Sequence, residues 1–156
     1  MDAHRLAEAV VAGMMERDEF SRWLGVEVVE VAPRRCSCRL TVRPEMVNGF
    51  GVAHGAIAFA LADSAFAFAC NSAGYVTVSV HNSISYPAAV RPGDVLVAEA
   101  VEEASSRNLG YYRAEVRNQL GDVVALFRGT AYRTSRLHEV AAAMTDDLAV
   151  GEGNRG

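Results

Sequence analysis

One acidic side chain, Asp63, occupies a position where acidic side chains are rare. It falls inside a run whose pattern predicts a helix from near His54 and Gly55 to about Asn71, with apolar residues on almost every side. Such a helix is expected to be fully buried. Because an unpaired ionised carboxylate is costly to bury, Asp63 is expected either to have hydrogen-bonding neighbours or to be held ready for chemistry.

Composition excludes several classes of function. The 156 residues, of which 51% are hydrophobic, predict one globular domain. A formal net charge of -4 and the lack of a basic run argue against a nucleic-acid partner. Every one of the 15 basic residues is an arginine, which excludes Schiff-base chemistry and lysine-dependent phosphate loops.

The cysteines and histidines do not predict a metal site or a disulfide framework. Cys36 and Cys38 lie two apart on a predicted strand, and with Cys70 they are expected to be reduced packing residues. The four histidines show no ligand spacing, so no metal and no cofactor is expected. The chain begins without the basic and apolar pattern of a leader, so the cytoplasm is the expected compartment.

The sequence does not predict a membrane-spanning helix either. The segment from Gly49 to Cys70 is about as long as the ~20 residues that cross a bilayer. Asp63 near its middle would be costly in lipid, and the downstream sequence has the pattern of strands outside a membrane. We therefore expect this segment to be buried against a sheet.

Periodicity predicts the elements around this central helix. Residues 3–19 form an amphipathic helix whose contact is extended by Phe20, Trp23 and Leu24. The predicted strands are Val26 to Val31, Cys36 to Val42, Val76 to Tyr86, Val95 to Glu102, Tyr111 to Asn118 and Val123 to Arg133. The connections are short enough for antiparallel neighbours, and residues 135–156 are expected to form a flexible tail after a single domain at 1–134.

A lone helix that is apolar on all sides is buried only if the sheet wraps around it. The order of elements therefore predicts an α+β hotdog fold, with an antiparallel sheet of about six strands around one long central helix. A barrel with a peripheral helix, or an open sandwich, would leave the phenylalanine-rich helix half exposed.

Several short motifs resemble one protein family. Asn48-Gly49, His54-Gly55 and the run from Leu61 to Ala67 that contains Asp63, followed by residues 69–72 and Val124 to Gly129, are similar to the phenylacetic acid degradation thioesterases of the hotdog superfamily. The resemblance spans roughly residues 8–134. The chain departs from the usual His-Gly-Gly at Ala56, which is tolerable if the amide after the histidine is the functional group.

The resemblance implies hydrolysis of an acyl-CoA thioester. Amides at the start of the central helix, Gly55 foremost, would polarise the thioester carbonyl, and Asp63 would act as general base or as nucleophile. Ser79 matches a position at which relatives place a hydroxyl that orients the water. His54 either packs at the helix start or helps to bind the thioester, and Asn48 is expected to hold His54 or the Gly55 peptide.

Helix geometry adds a constraint on this site. Gly55 and Asp63 are eight residues apart, or about 12 Å along a helix at about 1.5 Å per residue. One thioester carbonyl cannot touch both groups, so the site is expected to combine Gly55 of one subunit with Asp63 of another. The predicted assembly is a homodimer, which by resemblance pairs again into a homotetramer.

The resemblance also suggests the parts of the substrate. Arg91, Arg107 and Arg128 are candidates for the phosphates of coenzyme A. An acyl pocket lined by Phe50, Phe59, Phe66 and Tyr86 would suit a phenylacetyl or hydroxyphenylacetyl group from aromatic catabolism.

Two other classes of protein remain open at this stage. One is a non-catalytic acyl-CoA-binding hotdog module, in which Asp63 is a structural carboxylate. The other is a hotdog hydratase or dehydratase, which needs an aspartate and a histidine close together, a pair that the nine-residue separation of Asp63 and His54 does not supply within one helix.

Overall fold

The helices and strands follow the predicted order. The computed structural model describes residues 2–145. Its helices are α1 (Ala3–Arg17), α2 (Glu19–Leu24) and α3 (Gly55–Asn71), and residues 139–145 are also helical. Its strands are β1 (Glu27–Ala32), β2 (Arg35–Thr41), β3 (Tyr75–Ser85), β4 (Val95–Ser105), β5 (Leu109–Arg117) and β6 (Val123–Leu137).

The strands form one antiparallel sheet in the order β1-β2-β4-β5-β6-β3. The sheet curves around α3, whose Leu61, Phe66 and Phe68 are fully buried against it. The Phe66 ring packs against Phe127 on β6 and Tyr112 on β5, with ring centroids 5.6 and 5.4 Å away. The predicted hotdog fold is confirmed.

Helix α3 is not covered on every side by its own chain. The half-buried or exposed positions Ala56, Ala60, Asp63 and Ala67 recur every three or four residues, so they form one stripe along the helix. The prediction of a helix buried on all sides is therefore wrong for the isolated chain. The stripe is apolar apart from Asp63, and the sheet lies on the opposite side of the helix.

Strand β3 is an edge strand with an irregular register. It has 11 residues and pairs only with β6 among the described strands. Ser79 pairs with Ala131 and His81 with Thr130, so Val80 bulges out of the ladder without a partner. Val78 and Val80 are exposed along this free edge.

Strand β6 and its contacts extend beyond residue 134. Strand β6 continues to Leu137, which pairs with Tyr75, and the His138 ring nitrogen Nε2 lies 2.8 Å from Asn71 Oδ1. These contacts carry the chain past the predicted boundary at residue 134 and into the helical residues 139–145. The remainder of the predicted tail, residues 146–156, lies outside the described part of the chain.

Helix α2 differs from its predicted role as well. Leu24 is buried as expected, but Trp23 and Phe20 are exposed, and their ring centroids lie 5.9 Å apart. Asp18 caps this helix by accepting hydrogen bonds from the Ser21 amide and hydroxyl. Among residues 2–145 no helix is long and apolar enough to cross a membrane.

Candidate active site

The start of α3 leaves one backbone donor free. His54 is the N-cap residue, and its Nδ1 accepts the Ala56 N–H at 3.0 Å, so a neutral His54 ring carries its proton on Nε2. The Ile57 N–H donates to His54 O. The Gly55 N–H has no acceptor among residues 2–145. The positive end of the helix dipole therefore presents the Gly55 amide as an open donor.

Tyr86 holds the next peptide of the helix, between Gly55 and Ala56. Its hydroxyl donates to Gly55 O at 2.9 Å, and a Cβ added to Gly55 would lie 3.2 Å from that hydroxyl. Partial burial raises the Tyr86 pKa, which keeps the hydroxyl protonated as a donor. Glycine at residue 55 thus lets the tyrosine approach the backbone and fix its orientation.

The approach loop is fixed by Asn48, although not through the contacts that the sequence suggested. Asn48 Oδ1 accepts the Phe50 N–H at 2.8 Å, and the Asn48 backbone N–H donates to Val52 O. These bonds shape the turn that returns the chain to His54, whose own N–H donates to Met46 O. Asn48 therefore acts on the loop and makes no hydrogen bond to His54 or Gly55.

Asp63 lies two turns further along α3 and is half-buried. Its Oδ1 accepts a hydrogen bond from Asn82 Nδ2 at 3.2 Å, and Asn82 Oδ1 in turn accepts the Ser79 hydroxyl at 2.9 Å. Asp63 Oδ2 has no partner among the described residues. One oxygen of the carboxylate is thus held and the other is available.

The surroundings of Asp63 raise its pKa. Burial is the main cause, the hydrogen bond from Asn82 acts in the opposite direction, and the negative charge of Asp18 adds to the rise. Asp18 is linked to the neighbourhood of Asp63 by hydrogen bonds. Its carboxylate accepts a hydrogen bond from the Ser21 hydroxyl, and the Ser21 hydroxyl oxygen lies 2.9 Å from that of Ser64, the residue next to Asp63. A carboxylate with a raised pKa is a better proton acceptor once ionised.

The two candidate groups are separate within one chain. Gly55 and Asp63 both lie on α3, and the straight helix keeps their backbones about 12 Å apart. Ser79 is brought to Asp63 through Asn82, but neither reaches the helix start. The structure therefore groups the predicted residues into two half-sites, one at His54 and Gly55 and one at Asp63 and Ser79.

Two cavities flank the start of α3. One of about 270 Å³ is lined by His54, Gly55, Tyr86 and the turn that follows Tyr86. The other, about 520 Å³, is lined by Trp23, Met46, His54, Ile57 and neighbouring residues. A groove of about 770 Å³ between α1 and β1 lies elsewhere and contains none of the candidate residues.

The predicted aromatic lining is largely elsewhere. Phe66 is buried in the core, Phe59 packs edge-on to Phe127, and Phe50 is 92% exposed on the approach loop. Of the four predicted aromatic residues, Tyr86 alone lines either of these two cavities. Trp23, which sequence reasoning assigned to packing, lines the larger one.

The three candidate arginines do not form one cluster. Arg91 follows Val90, whose carbonyl accepts the Ala53 N–H of the approach loop, so it lies near the helix start. Arg107 lies beyond the other end of β4, an 11-residue strand, roughly 33 Å away at about 3.3 Å per residue. Arg128 is ion-paired with Glu103 on the outer face of the sheet.

The cysteines are free and buried, and Cys36 Sγ lies 3.9 Å from Cys38 Sγ. Burial raises the pKa of Cys70 to about 12, so its thiol is unreactive at neutral pH. No group of three or more His, Cys, Asp or Glu side chains within residues 2–145 is placed to hold a metal ion.

Several known proteins are similar to this chain. The family model described as thioesterase superfamily matches residues 50–125. The acyl-coenzyme A thioesterase PaaI of Escherichia coli is 36% identical over 77% of this chain and 86% of its own length. Human acyl-coenzyme A thioesterase 13 is 28% identical over 79% of this chain and 91% of its own.

A solved structure leads to the same result. The E. coli PaaI protein of the phenylacetic acid degradation operon superposes with a TM-score of 0.85 at 32% identity, covering 87% of this chain and 99% of that one. Sequence and fold thus agree over most of both molecules, and the chain belongs to the PaaI-type family of the thioesterase superfamily.

Proposed function

We propose that the protein hydrolyses aryl acyl-CoA thioesters, such as phenylacetyl-CoA or its hydroxylated form, to the free acid and coenzyme A. The observation that carries the proposal is the open Gly55 N–H at the positive end of α3, at the helix start that the two cavities flank. Such a donor stabilises the negative charge that develops on a thioester oxygen under attack. The names of the E. coli and human relatives, both acyl-coenzyme A thioesterases, support the same reaction class.

The chemistry needs an ionised Asp63. Its free Oδ2 either removes a proton from the attacking water or attacks the carbonyl carbon itself to give a mixed anhydride that water then cleaves. In both routes the C–S bond breaks and coenzyme A leaves as the thiolate. The thiolate then takes up a proton that ultimately comes from water. Ser79, hydrogen-bonded beside Asp63, is the proposed partner for that water.

The complete site is proposed to form between two chains. The distance of about 12 Å along α3 requires Gly55 and Asp63 to come from different subunits. The stripe of Ala56, Ala60, Asp63 and Ala67 is left open by the chain's own sheet, and its small residues allow close approach of a second chain. The free edge of β3 offers backbone groups for pairing with a second copy, and a dimer of dimers would extend the assembly.

The acyl group is proposed to lie in the cavity of about 520 Å³, whose volume is in the usual range for small ligands. Trp23 forms one wall of this cavity and offers an exposed indole face for an aromatic ring. The phosphates of coenzyme A are then assigned to Arg91, the candidate arginine that lies near the helix start. The expected compartment remains the cytoplasm.

The first test is release of coenzyme A from phenylacetyl-, hydroxyphenylacetyl-, benzoyl- and straight-chain acyl-CoA, followed at an absorbance specific to the thioester. We expect aryl thioesters to turn over, and Asp63→Asn to lose most of the rate while it keeps its fold and oligomeric state. If acyl-CoA binds without turnover, the protein is a binding module and the proposal is wrong.

The single tryptophan makes the acyl site directly observable. Phenylacetate or phenylacetyl-CoA should quench the Trp23 fluorescence of the Asp63→Asn variant, whereas straight-chain acyl-CoA should change it less. Equal responses to both ligands would place the aryl group away from Trp23.

Subunit mixing tests the two-chain site. Asp63→Asn and Gly55→Pro chains are inactive alone, but a mixed dimer contains one site with both native groups. Random pairing makes half of the dimers mixed, so about a quarter of the wild-type rate should return. No recovery after verified exchange of subunits would show that the two groups act within one chain.

A further inference from the structure

Three polar side chains meet beside the stripe of α3, and only two of them, Asp63 and Ser79, were candidates from the sequence. Asp63, Asn82 and Ser79 form a chain of two hydrogen bonds, 3.2 and 2.9 Å long. Asn82 was not a candidate from the sequence. It is the only residue among those described that donates a side-chain hydrogen bond to Asp63.

The β-bulge at Val80 explains how Ser79 and Asn82 meet. Residues three apart in a regular strand point to opposite faces. Here Ser79 pairs with the buried Ala131 and Asn82 with the buried Gly129, because the unpaired Val80 adds one residue between them. Both side chains therefore lie on the inner face of β3, towards α3, and bulges often re-aim side chains in this way next to active sites.

The donors and acceptors in these two hydrogen bonds are matched to an ionised Asp63. A carboxylate only accepts, so Asn82 must turn its Nδ2 towards Asp63 and its Oδ1 away. The Ser79 hydroxyl donates to that Oδ1 and so fixes the amide in the required orientation. The result is a carboxylate with Oδ1 held and Oδ2 without a partner among the described residues.

We propose that Asn82 is a positioning residue for Asp63, an inference that rests on the proposed function of Asp63. The bulge at Val80 and the Ser79 hydroxyl orient Asn82 towards Asp63, so that the carboxylate stays ionised and keeps its orientation. The negative charge of Asp18, at the start of α2, also acts on Asp63, and burial keeps the nearby Cys70 thiol on α3 protonated at neutral pH. His81 pairs with Thr130 and lies on the outer face of β3. Asn82 thus opposes both burial and the charge of Asp18.

The test measures Asp63 directly, in the full-length protein. Aspartate is labelled with ¹³C at the side-chain carboxyl, and the Asp63 resonance is assigned by its loss in Asp63→Asn. In Asn82→Leu, which keeps the branched shape and the number of heavy atoms but lacks the donor, the titration midpoint of Asp63 should move to higher pH. Ser79→Ala should move it in the same direction by less, and Ser83→Ala, on the outer face of β3, should leave it unchanged.

The kinetic consequence is a second readout. Loss of a hydrogen bond to a charged group predicts that kcat of Asn82→Leu falls about tenfold, with KM little changed and the acid limb of the kcat profile shifted upward. If Asn82→Leu does not fold, the Asp63 titration in Ser79→Ala still tests the proposal, because Ser79 is more exposed and its substitution disturbs the fold less. The proposal is overturned if the Asp63 midpoint stays in place or moves down in the variant that folds.

The two proposals fail separately. If the protein is not a thioesterase, no thioester turns over, yet the NMR titration still reports whether Asn82 acts on Asp63. If Asn82 has no such role, the wild type and Asp63→Asn still differ in turnover while the midpoints of wild type and Asn82→Leu coincide. In the double variant, the shift of the Asp63 titration midpoint should be smaller than the sum of the shifts in Ser79→Ala and Asn82→Leu, because both substitutions break the same series of hydrogen bonds.

Discussion

Replacing Gly55 by proline removes one hydrogen atom from the proposed site with little cost to the fold. Residue 55 is the first residue of α3, where proline is favoured because its missing N–H has no partner within the helix. His54 has φ -59° and ψ 138°, the extended conformation that a following proline requires. We therefore expect Gly55→Pro to fold and assemble like the wild type.

The expected loss of activity is large. Removal of one donor from an oxyanion site costs about 100- to 1,000-fold in kcat, or about 2.7–4 kcal/mol. Gly55→Ala is the matched control, because it adds the same Cβ, 3.2 Å from the Tyr86 hydroxyl, but keeps the N–H. Since Tyr86 is exposed and can shift by a few tenths of an ångström, Gly55→Ala should lose less than about tenfold.

The assay is kcat and KM for phenylacetyl-CoA, with the thermal midpoint and oligomeric state of each variant as controls. The proline ring also adds bulk where the amide hydrogen was, so a second variant separates the two effects. Glycolic acid in place of Gly55 turns the amide into an ester and removes the hydrogen without added bulk. If the ester and proline variants both stay within tenfold of Gly55→Ala, the Gly55 amide does not stabilise the transition state.

Three further outcomes follow from the packing. Gly129→Ala should destabilise the fold by about 1–3 kcal/mol in chemical denaturation, because its Cβ would lie 2.7 Å from the Phe66 ring. Val78→Lys on the free edge of β3 should shift the protein towards monomer in sedimentation, whereas an unchanged mass would place the interface elsewhere. Burial lowers the pKa of His138, so the unfolded chain binds its proton more readily, and stability should fall as pH drops below about 6.5, less so in His138→Gln.

Sequence reasoning predicted what depends on periodicity. The limits of α3 agree with the structure because its largely apolar run begins after His54 and ends at Asn71, where the chain turns. The six strands were separated by clear turn residues and came out in the predicted order. The extension of β6 to Leu137 was missed because the pairing with Tyr75 is a contact between distant parts of the chain.

The site was predicted in part, for a physical reason that Asn82 illustrates. Asp63 stands out in the sequence because it is a charge among apolar residues, and Gly55 because it follows a histidine at a helix start. Asn82 is an ordinary polar residue on a strand, three positions from Ser79, and regular alternation would put the two on opposite faces. A one-residue bulge reverses that assignment, and no local signal in the sequence marks the bulge.

A single helix that supplies both halves of the proposed site needs a two-fold axis. If two copies of α3 lie antiparallel along their open stripes, the Gly55 end of each helix comes beside Asp63 of the other, and two identical sites arise from one contact. The positive end of each helix then faces the carboxylate of its partner, which favours ionisation of Asp63 in the assembled protein relative to the isolated chain. In the isolated chain, burial and the negative charge of Asp18 raise the pKa of Asp63. Dissociation, for example by Val78→Lys, should therefore raise the Asp63 titration midpoint as well as abolish turnover, and a midpoint unchanged between monomer and dimer would contradict this arrangement.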